Sequence, residues 1–184
     1  MNYCTIAPDH PLHGPYHDCE YGFPTTNEAE LFERLVLEIN QAGLSWTTIL
    51  AKRNNFRRAY DNFEVDRVAN YGVNDRNRLL HDPTIVRNRL KIDAAIKNAR
   101  RICELRVEYG SFAGWLAAHH PRSRPEWVKL FKKTFAFTGG EITGEFLLSI
   151  GYLPGAHQKD CPVYRRIVRL RPPWLALQVS TSDS

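Results

Sequence analysis

The stretch after Pro83, "TIVRNRLKIDAAIKNARRICEL", narrows the possible folds more than any other part of the chain. Ile92, Ala95, Ile96, Ala99, Ile102 and Leu105 recur at steps of three and four, the spacing of one buried helical stripe. Arg87, Arg89, Lys91, Lys97, Arg100 and Arg101 decorate the remaining surface of that long amphipathic helix. Helical periodicity returns on both sides of it. Thr25 and Glu28 stand at capping-box spacing and open a helix through about residue 41. Ser45 can cap a second, with Trp46, Ile49, Leu50, Phe56 and Tyr60 at helical intervals. Short helices follow near Val65–Tyr71 and Asn74–Leu80, then "SFAGWLAAHH", then "RPEWVKLFKKTF" with Pro125 in its first turn, then "EITGEFLLSI" stopped by Gly151. Only Val163–Leu170 alternates well enough to suggest a short strand. The fold class expected is all-α.

The 184 residues suit one domain with a sizeable core, and an apolar fraction of 43% with 24% charged residues is that of a folded soluble chain. No apolar run approaches the length of a membrane span, and Asp9, His10, His13, His17, Asp18 and Glu20 crowd the first twenty positions. Neither a secretory signal nor a membrane association is therefore expected, and the expected address is the cytoplasm, or the nucleoid within it. Four prolines between residues 5 and 24 read as an ordered, loop-rich arm. The expected organisation is a single helical domain over 1–161, with the arm at 1–24 and a hairpin at about 131–151. A basic extension at 162–184 follows, carrying Arg165, Arg166, Arg169 and Arg171 and a disordered end. The net charge of +5 favours a polyanionic partner without requiring one.

Three groups of residues carry possible chemistry. Glu38 lies beside the apolar face formed by Leu31, Phe32, Leu35, Val36 and Ile39, one turn before "GLSW". It is either a border glutamate that reaches solvent or pairs with Arg34, or a carboxylate lining a pocket with Trp46 and Leu44 nearby. Cys4, His17, His157 and Cys161 are four nitrogen and sulfur donors of the kinds that close a tetrahedral zinc site, drawn from opposite ends of the chain. The alternative is buried free cysteine and surface histidine. Four scattered cysteines do not make a disulfide framework, and Cys103 falls near the apolar stripe. Lastly, "KKTFAFTGGEITGEFLLSI" places Lys132, Lys133, Thr138, Gly139 and Gly140 in a turn between two helices. That is either an ordinary helix–helix turn or a hairpin whose glycines permit positive φ and close approach of a phosphate.

Taken together, "YHDCEYG" (16–22), "LFERLVLEINQAGLSWTTILAKRNNFRRAY" (31–60), "TIVRNRLKIDAAIKNA" (84–99), "FAFTGGEI" (135–142) and "HQKDC" (157–161) make the chain similar to the DNA-3-methyladenine glycosylase I family of helix-hairpin-helix base-excision enzymes. The resemblance runs from Cys4 to Cys161. It implies an all-α, two-lobed unit with one structural zinc on Cys4, His17, His157 and Cys161, joining the N- and C-terminal segments. It implies that Glu38 contacts a flipped methylated adenine, that Tyr16 and Trp46 supply aromatic walls with Tyr21 beside them, and that Gly43 and Leu44 press into the gap the base leaves. The implied partner is double-stranded DNA containing alkylated bases, met by a monomer, with Lys132, Lys133, Thr138, Gly139 and Gly140 on its backbone. Asp160 does not take the catalytic role that other members of the fold give an aspartate after the hairpin. Ile6, His13 and Tyr21 depart from the family's usual aromatic pattern. A non-catalytic DNA-binding protein that recognises damaged or abasic sites is the main alternative, and a zinc-stapled structural protein a more distant one.

Overall fold

The computed structural model describes residues 2–179. Helices α1 (Tyr3–Ile6), α2 (His13–Cys19), α3 (Glu28–Gln41), α4 (Trp46–Ala59), α5 (Val65–Ala69), α6 (Val73–His81), α7 (Arg89–Tyr109), α8 (Phe112–His119), α9 (Arg124–Thr134), α10 (Gly140–Ser149), α11 (Pro162–Arg169) and α12 (Pro173–Val179) follow one another without a strand among the described residues. The end of the chain, where disorder was expected, lies outside them.

α3 is buried on every face from Leu31 to Asn40, so it runs through the molecule rather than over it. It packs against α4, α7, α8 and α10. α7 presents its stripe to α5, α6 and α8, with Ile92, Ala95, Ala99 and Ile102 wholly buried. Phe112, Trp115, Phe131, Phe135 and Phe146 pack their rings together where α8, α9 and α10 meet. A second, smaller cluster of Cys161, Val163 and Ile167 with Cys4 and Phe23 holds α11 against the N-terminal arm.

The arm is loop-rich as expected, with the short helices α1 and α2 set between its turns. Two sequence expectations need correction. Residues Val163–Leu170 are not a strand: Cys161 precedes the helix, Pro162 occupies its first turn, and the buried pair Val163 and Ile167 has helical i,i+4 spacing. The N-cap of α3 is Asn27, whose side chain accepts from the Glu30 amide at 3.0 Å. Thr25 instead donates to Glu30 Oε2 at 2.7 Å, and Glu28 turns away to pair with Arg106 and accept from the Phe112 amide.

Two side chains of α7 fix loops that matter below. Lys91, buried and facing no carboxylate, donates to the carbonyls of Asn40 (2.9 Å) and Ala42 (2.5 Å) at the end of α3. Two turns on, Asn98 accepts from the Ala136 amide (2.7 Å) and donates to its carbonyl (3.1 Å), pinning the turn between α9 and α10. Asn98→Ala would leave both groups of Ala136 without these partners, and a destabilisation of about 1–3 kcal/mol is expected in urea unfolding. A loss below a few tenths would show that the turn is held by other contacts.

Candidate base-binding pocket and metal cluster

A cavity of about 450 Å³ opens where α1, α2, α3, α4 and α10 converge, lined by Tyr3, Ile6, His13, Tyr16, Tyr21, Glu38, Gln41, Trp46 and Glu145. The helical phase of α3 brings Glu38 to it. Glu38 is only 5% exposed and accepts no hydrogen bond from any described residue. Neither outcome of the border reading is seen. Arg34, one turn earlier, makes no ion pair with Glu38 and donates instead to the carbonyls of Glu20 (3.1 Å) and Ser149 (2.5 Å). Burial pushes the Glu38 carboxyl well above the usual carboxylate range. The neighbouring Glu145 charge pushes the same way, and Arg34 offsets only part of it.

The aromatic groups make a corner rather than two parallel plates. The rings of Tyr16 and Trp46 lie 5.3 Å apart at 57°. A base sandwiched between rings needs about 7 Å, twice the ~3.4 Å stacking step, so a base would lie against this corner and not between its sides. Tyr21 continues the wall, 5.8 Å from Tyr16, and its hydroxyl donates to Glu145 Oε2 at 3.2 Å. Behind Tyr16 sits the Arg53 guanidinium, 5.8 Å from the ring and already bound by Glu20 and Glu33.

Three lining residues, Tyr3, Gln41 and Glu145, were missed from the sequence. Tyr3 meets Tyr21 edge-on at 5.4 Å, and its hydroxyl lies 3.1 Å from His13 Nδ1. His13 Nε2 in turn reaches Thr47 Oγ1 at 2.8 Å. The only hint of Tyr3 was its place beside Cys4. Glu145 gave no signal, because it reads as an ordinary acid on an amphipathic helix.

Gly43 and Leu44 form the rim. Gly43 has φ +82°, a left-handed turn that glycine adopts freely, and it ends α3 under the grip of Lys91. Leu44 projects outward with 38% exposure, and Ser45 caps α4 through the Thr48 amide at 3.1 Å. In the α9–α10 turn the expectation of positive φ at the glycines is not met. The left-handed residue is Phe137 (φ +60°), whereas Gly139 has φ −76°. A Cβ at Gly139 or Gly140 would meet nothing within 4 Å, so both face open space in front of the α10 N-terminus. Lys132 and Lys133 are exposed, but the Thr138 hydroxyl is buried and donates to the carbonyls of Phe131 and Phe135 at 3.0 Å. Its side chain is thereby committed to closing the turn.

Cys4, His17, His157 and Cys161 do come together, their donor atoms all within 4.8 Å of one another, and the cluster could hold a metal ion. Cys4 Sγ and Cys161 Sγ each lie 3.6 Å from His157 Nδ1. Each histidine turns its second nitrogen to an acceptor, His157 Nε2 to the Tyr21 carbonyl and His17 Nδ1 to Asp18 Oδ1, both at 2.7 Å. That leaves His157 Nδ1 and His17 Nε2 as lone-pair donors.

The upward shift of Glu38 has a sign that can be tested. The folded protein holds this proton more tightly than the unfolded chain, so stability falls as pH rises from about 4.5 through the raised folded value. Glu38→Gln, which does not titrate, lacks that fall. Its stability relative to the parent should therefore be higher at pH 8 than at pH 5 in urea unfolding. An equal difference at both would place Glu38 in a water-like environment.

The methyladenine glycosylase family model matches residues 6–130. DNA-3-methyladenine glycosylase 1 of Escherichia coli is 43% identical over 183 residues, covering 89% of this chain and 97% of that protein. DNA-3-methyladenine glycosylase of Haemophilus influenzae is 30% identical, covering 86% of this chain and 96% of its own. A solved 3-methyladenine DNA glycosylase I in complex with 3-methyladenine superposes with TM-score 0.80 at 31% identity, covering 89% of this chain and 98% of that one. In fold, in length and in overall sequence, the chain belongs to the methyladenine glycosylase family.

Proposed function

We infer that the protein is a monofunctional DNA-3-methyladenine glycosylase of base excision repair, hydrolysing the N-glycosidic bond of 3-methyladenine in alkylated DNA. The observation that carries this is the Glu38 carboxyl, buried without a donor at the wall of an aromatic cavity. Such a group is satisfied by a ligand that brings its own N–H donors and positive charge. A 3-methylated adenine nucleotide has both.

Extrusion of the nucleotide from the duplex is easiest for a weakly paired lesion. Leu44, at the exposed rim, fills the place the base vacates, and Gly43 lets the loop turn tightly enough to reach it. The base then lies against the Tyr16–Trp46 corner, where stacking contributes roughly 1–3 kcal/mol per ring. Glu38 accepts an N–H from the base edge and complements its charge, which disfavours neutral adenine. When the C1′–N bond breaks, its electron pair stays with the base and cancels the positive charge, so no acid is needed to protonate the leaving group. Water adds to the sugar cation, its spare proton goes to solvent, and an abasic site remains. Because the base binds an ionised Glu38, turnover is expected to fall as pH drops through the raised Glu38 value.

Zinc is the metal that best suits the four-residue cluster. Zn–S bonds of about 2.3 Å and Zn–N bonds of about 2.0 Å at a tetrahedral angle put sulfur and nitrogen roughly 3.6 Å apart, and the Sγ–Nδ1 distances here are 3.6 Å. With four protein ligands the ion has a structural role, clamping the arm to α11. On the DNA side, Gly139 and Gly140 leave room for a phosphate at the start of α10, with Lys132 and Lys133 adding charge.

Duplex DNA carrying 3-methyladenine should yield the free base on incubation, and Glu38→Gln should slow release roughly 10²-fold while folding is kept. Binding of abasic-site duplex without any release would instead mark a DNA-binding protein. Cys4→Ser should contain less than one equivalent of zinc by elemental analysis and melt at lower temperature; full occupancy would refute the ligand set. Replacing Lys132 and Lys133 together by Ala should weaken DNA binding irrespective of sequence, and reduce the slope of log affinity against log salt by about one to two. An unchanged slope would remove the hairpin lysines from the interface.

A further inference from the structure

The basic segment after Cys161 belongs neither to the pocket nor to the hairpin, and it lies beyond the stretch over which the chain resembles its family. It is nevertheless firmly built. On one side α11 buries Val163 and Ile167, in a cluster with Cys4 and Phe23. At its start Cys161 belongs to the Cys/His cluster. Past its end the Trp174 amide donates to the Gly151 carbonyl at 3.2 Å, and the Trp174 ring stacks on Tyr164 at 6.1 Å. Arg166 adds an anchor, donating to the Asp18 carbonyl at 3.0 Å and lying over the Phe23 ring. The outer face carries Arg165 and Arg169, with Arg171 just beyond, all exposed. Arg165, Arg166 and Arg169 line a recess of about 390 Å³ with Pro162 and a single carboxylate, Asp160. None of these arginines makes an ion pair among the described residues, whereas Arg53, Arg57, Arg76 and Arg106 each meet a carboxylate within 3.0 Å. Like charges three and four residues apart weaken a helix, so this row gives the fold nothing by itself.

We propose that the arginine face of α11 is a second contact for the phosphate backbone of duplex DNA, separate from the hairpin. The inference rests on the DNA-binding part of the glycosylase reading. Phosphate oxygens match the planar fork of a guanidinium, and a nucleic-acid strand supplies them in series, as a row of arginines requires. Arg165 and Arg169 stand four residues apart, about 6 Å along the helix axis, so each can take its own phosphate. A lipid surface fits less well. A helix lying in a membrane interface inserts its apolar side, and here Val163 and Ile167 are already packed inside the protein. The contact reads no bases. It adds affinity for any duplex around the lesion and leaves the chemistry at Glu38 untouched.

The test uses the full chain and a duplex carrying an abasic-site analogue, with affinity followed by fluorescence anisotropy between about 50 and 200 mM salt. Replacing Arg165 and Arg169 together by Gln should weaken binding and lower the slope of log affinity against log salt by about two, so that the parent's advantage shrinks roughly tenfold over that range. Arg165→Lys with Arg169→Lys keeps the charge and should keep the slope. Both positions lie outside the pocket, so the single-turnover rate of 3-methyladenine release at saturating DNA should equal the parent's, and melting curves verify folding. Bound DNA should also protect Arg165 and Arg169 of the parent from phenylglyoxal, read by mass spectrometry. An unchanged slope in the Gln variant, or equal labelling with and without DNA, overturns the proposal, while base release by the parent decides the glycosylase reading separately. A slope lowered as much by Lys as by Gln marks lost packing rather than lost charge, and overturns it too. A parent that binds no DNA sinks the glycosylase reading and this inference together.

Discussion

A carboxyl group buried in a cavity wall, with no described residue donating to it, is the constraint around which this molecule is arranged. Isolated burial of that kind costs several kcal/mol when the group is charged, and a fold built only for stability would supply a partner. Here the cation whose charge bears on Glu38, Arg34, is committed elsewhere, as are Arg53 and Lys91. Arg34 ties the end of the arm to the end of α10, Arg53 is bracketed by Glu20 and Glu33, and Lys91 caps α3. All three keep the loops and helices around the cavity in place, so the same contacts that shape the pocket also keep its carboxyl unpaired.

The Cys/His cluster that could hold a metal and the pocket are one construction. Cys4 follows Tyr3, His17 follows Tyr16, and His157 donates to the carbonyl of Tyr21. Each of those tyrosines lines the cavity. A clamp on the four donors thus positions aromatic groups drawn from a short, proline-rich arm that could not order them through hydrophobic burial alone. At the other side of the site α7 acts as a spacer. Lys91 fixes the rim that carries Gly43 and Leu44, and Asn98 fixes the turn that carries Gly139 and Gly140, with six residues of helix between them. The part that would enter the duplex and the part that would hold its backbone are therefore set at one distance.

The sequence made most of the helices legible, because stripes such as Ile92–Ala95–Ile96–Ala99 and caps such as Ser45 are local signals. It was weaker where tertiary contact decides. Val163–Leu170 alternates in hydrophobicity by accident of its arginines, and only packing against Cys4 and Phe23 shows its helical face. Periodicity left Glu38 at the border of the core, undecided between solvent and pocket, until its burial in the cavity wall and the engagement of Arg34 with two carbonyls were seen. Positive φ was expected at glycines and occurs at Phe137, where the two Asn98 hydrogen bonds to Ala136 hold the turn. Glu145 was invisible because its neighbours are ordinary; the packing of α10 on α3 turns a helical surface acid into part of a binding wall.

Two carboxylates in one pocket raise a question about rate. A site that only bound the cationic base would deepen the ground state and slow cleavage, since the positive charge leaves the base as the bond breaks. The charge does not travel far, however. It moves from the purine ring to the adjoining sugar, and Coulomb attraction at the edge of a poorly hydrated cavity persists over several ångströms. A carboxylate facing the base therefore keeps much of its attraction when the charge reaches C1′, and loses it only when water neutralises the sugar. At that moment the base is neutral and faces an acceptor-lined wall with no cation to hold it. The arrangement that admits the lesion while it is charged thus favours departure of the base once it is free.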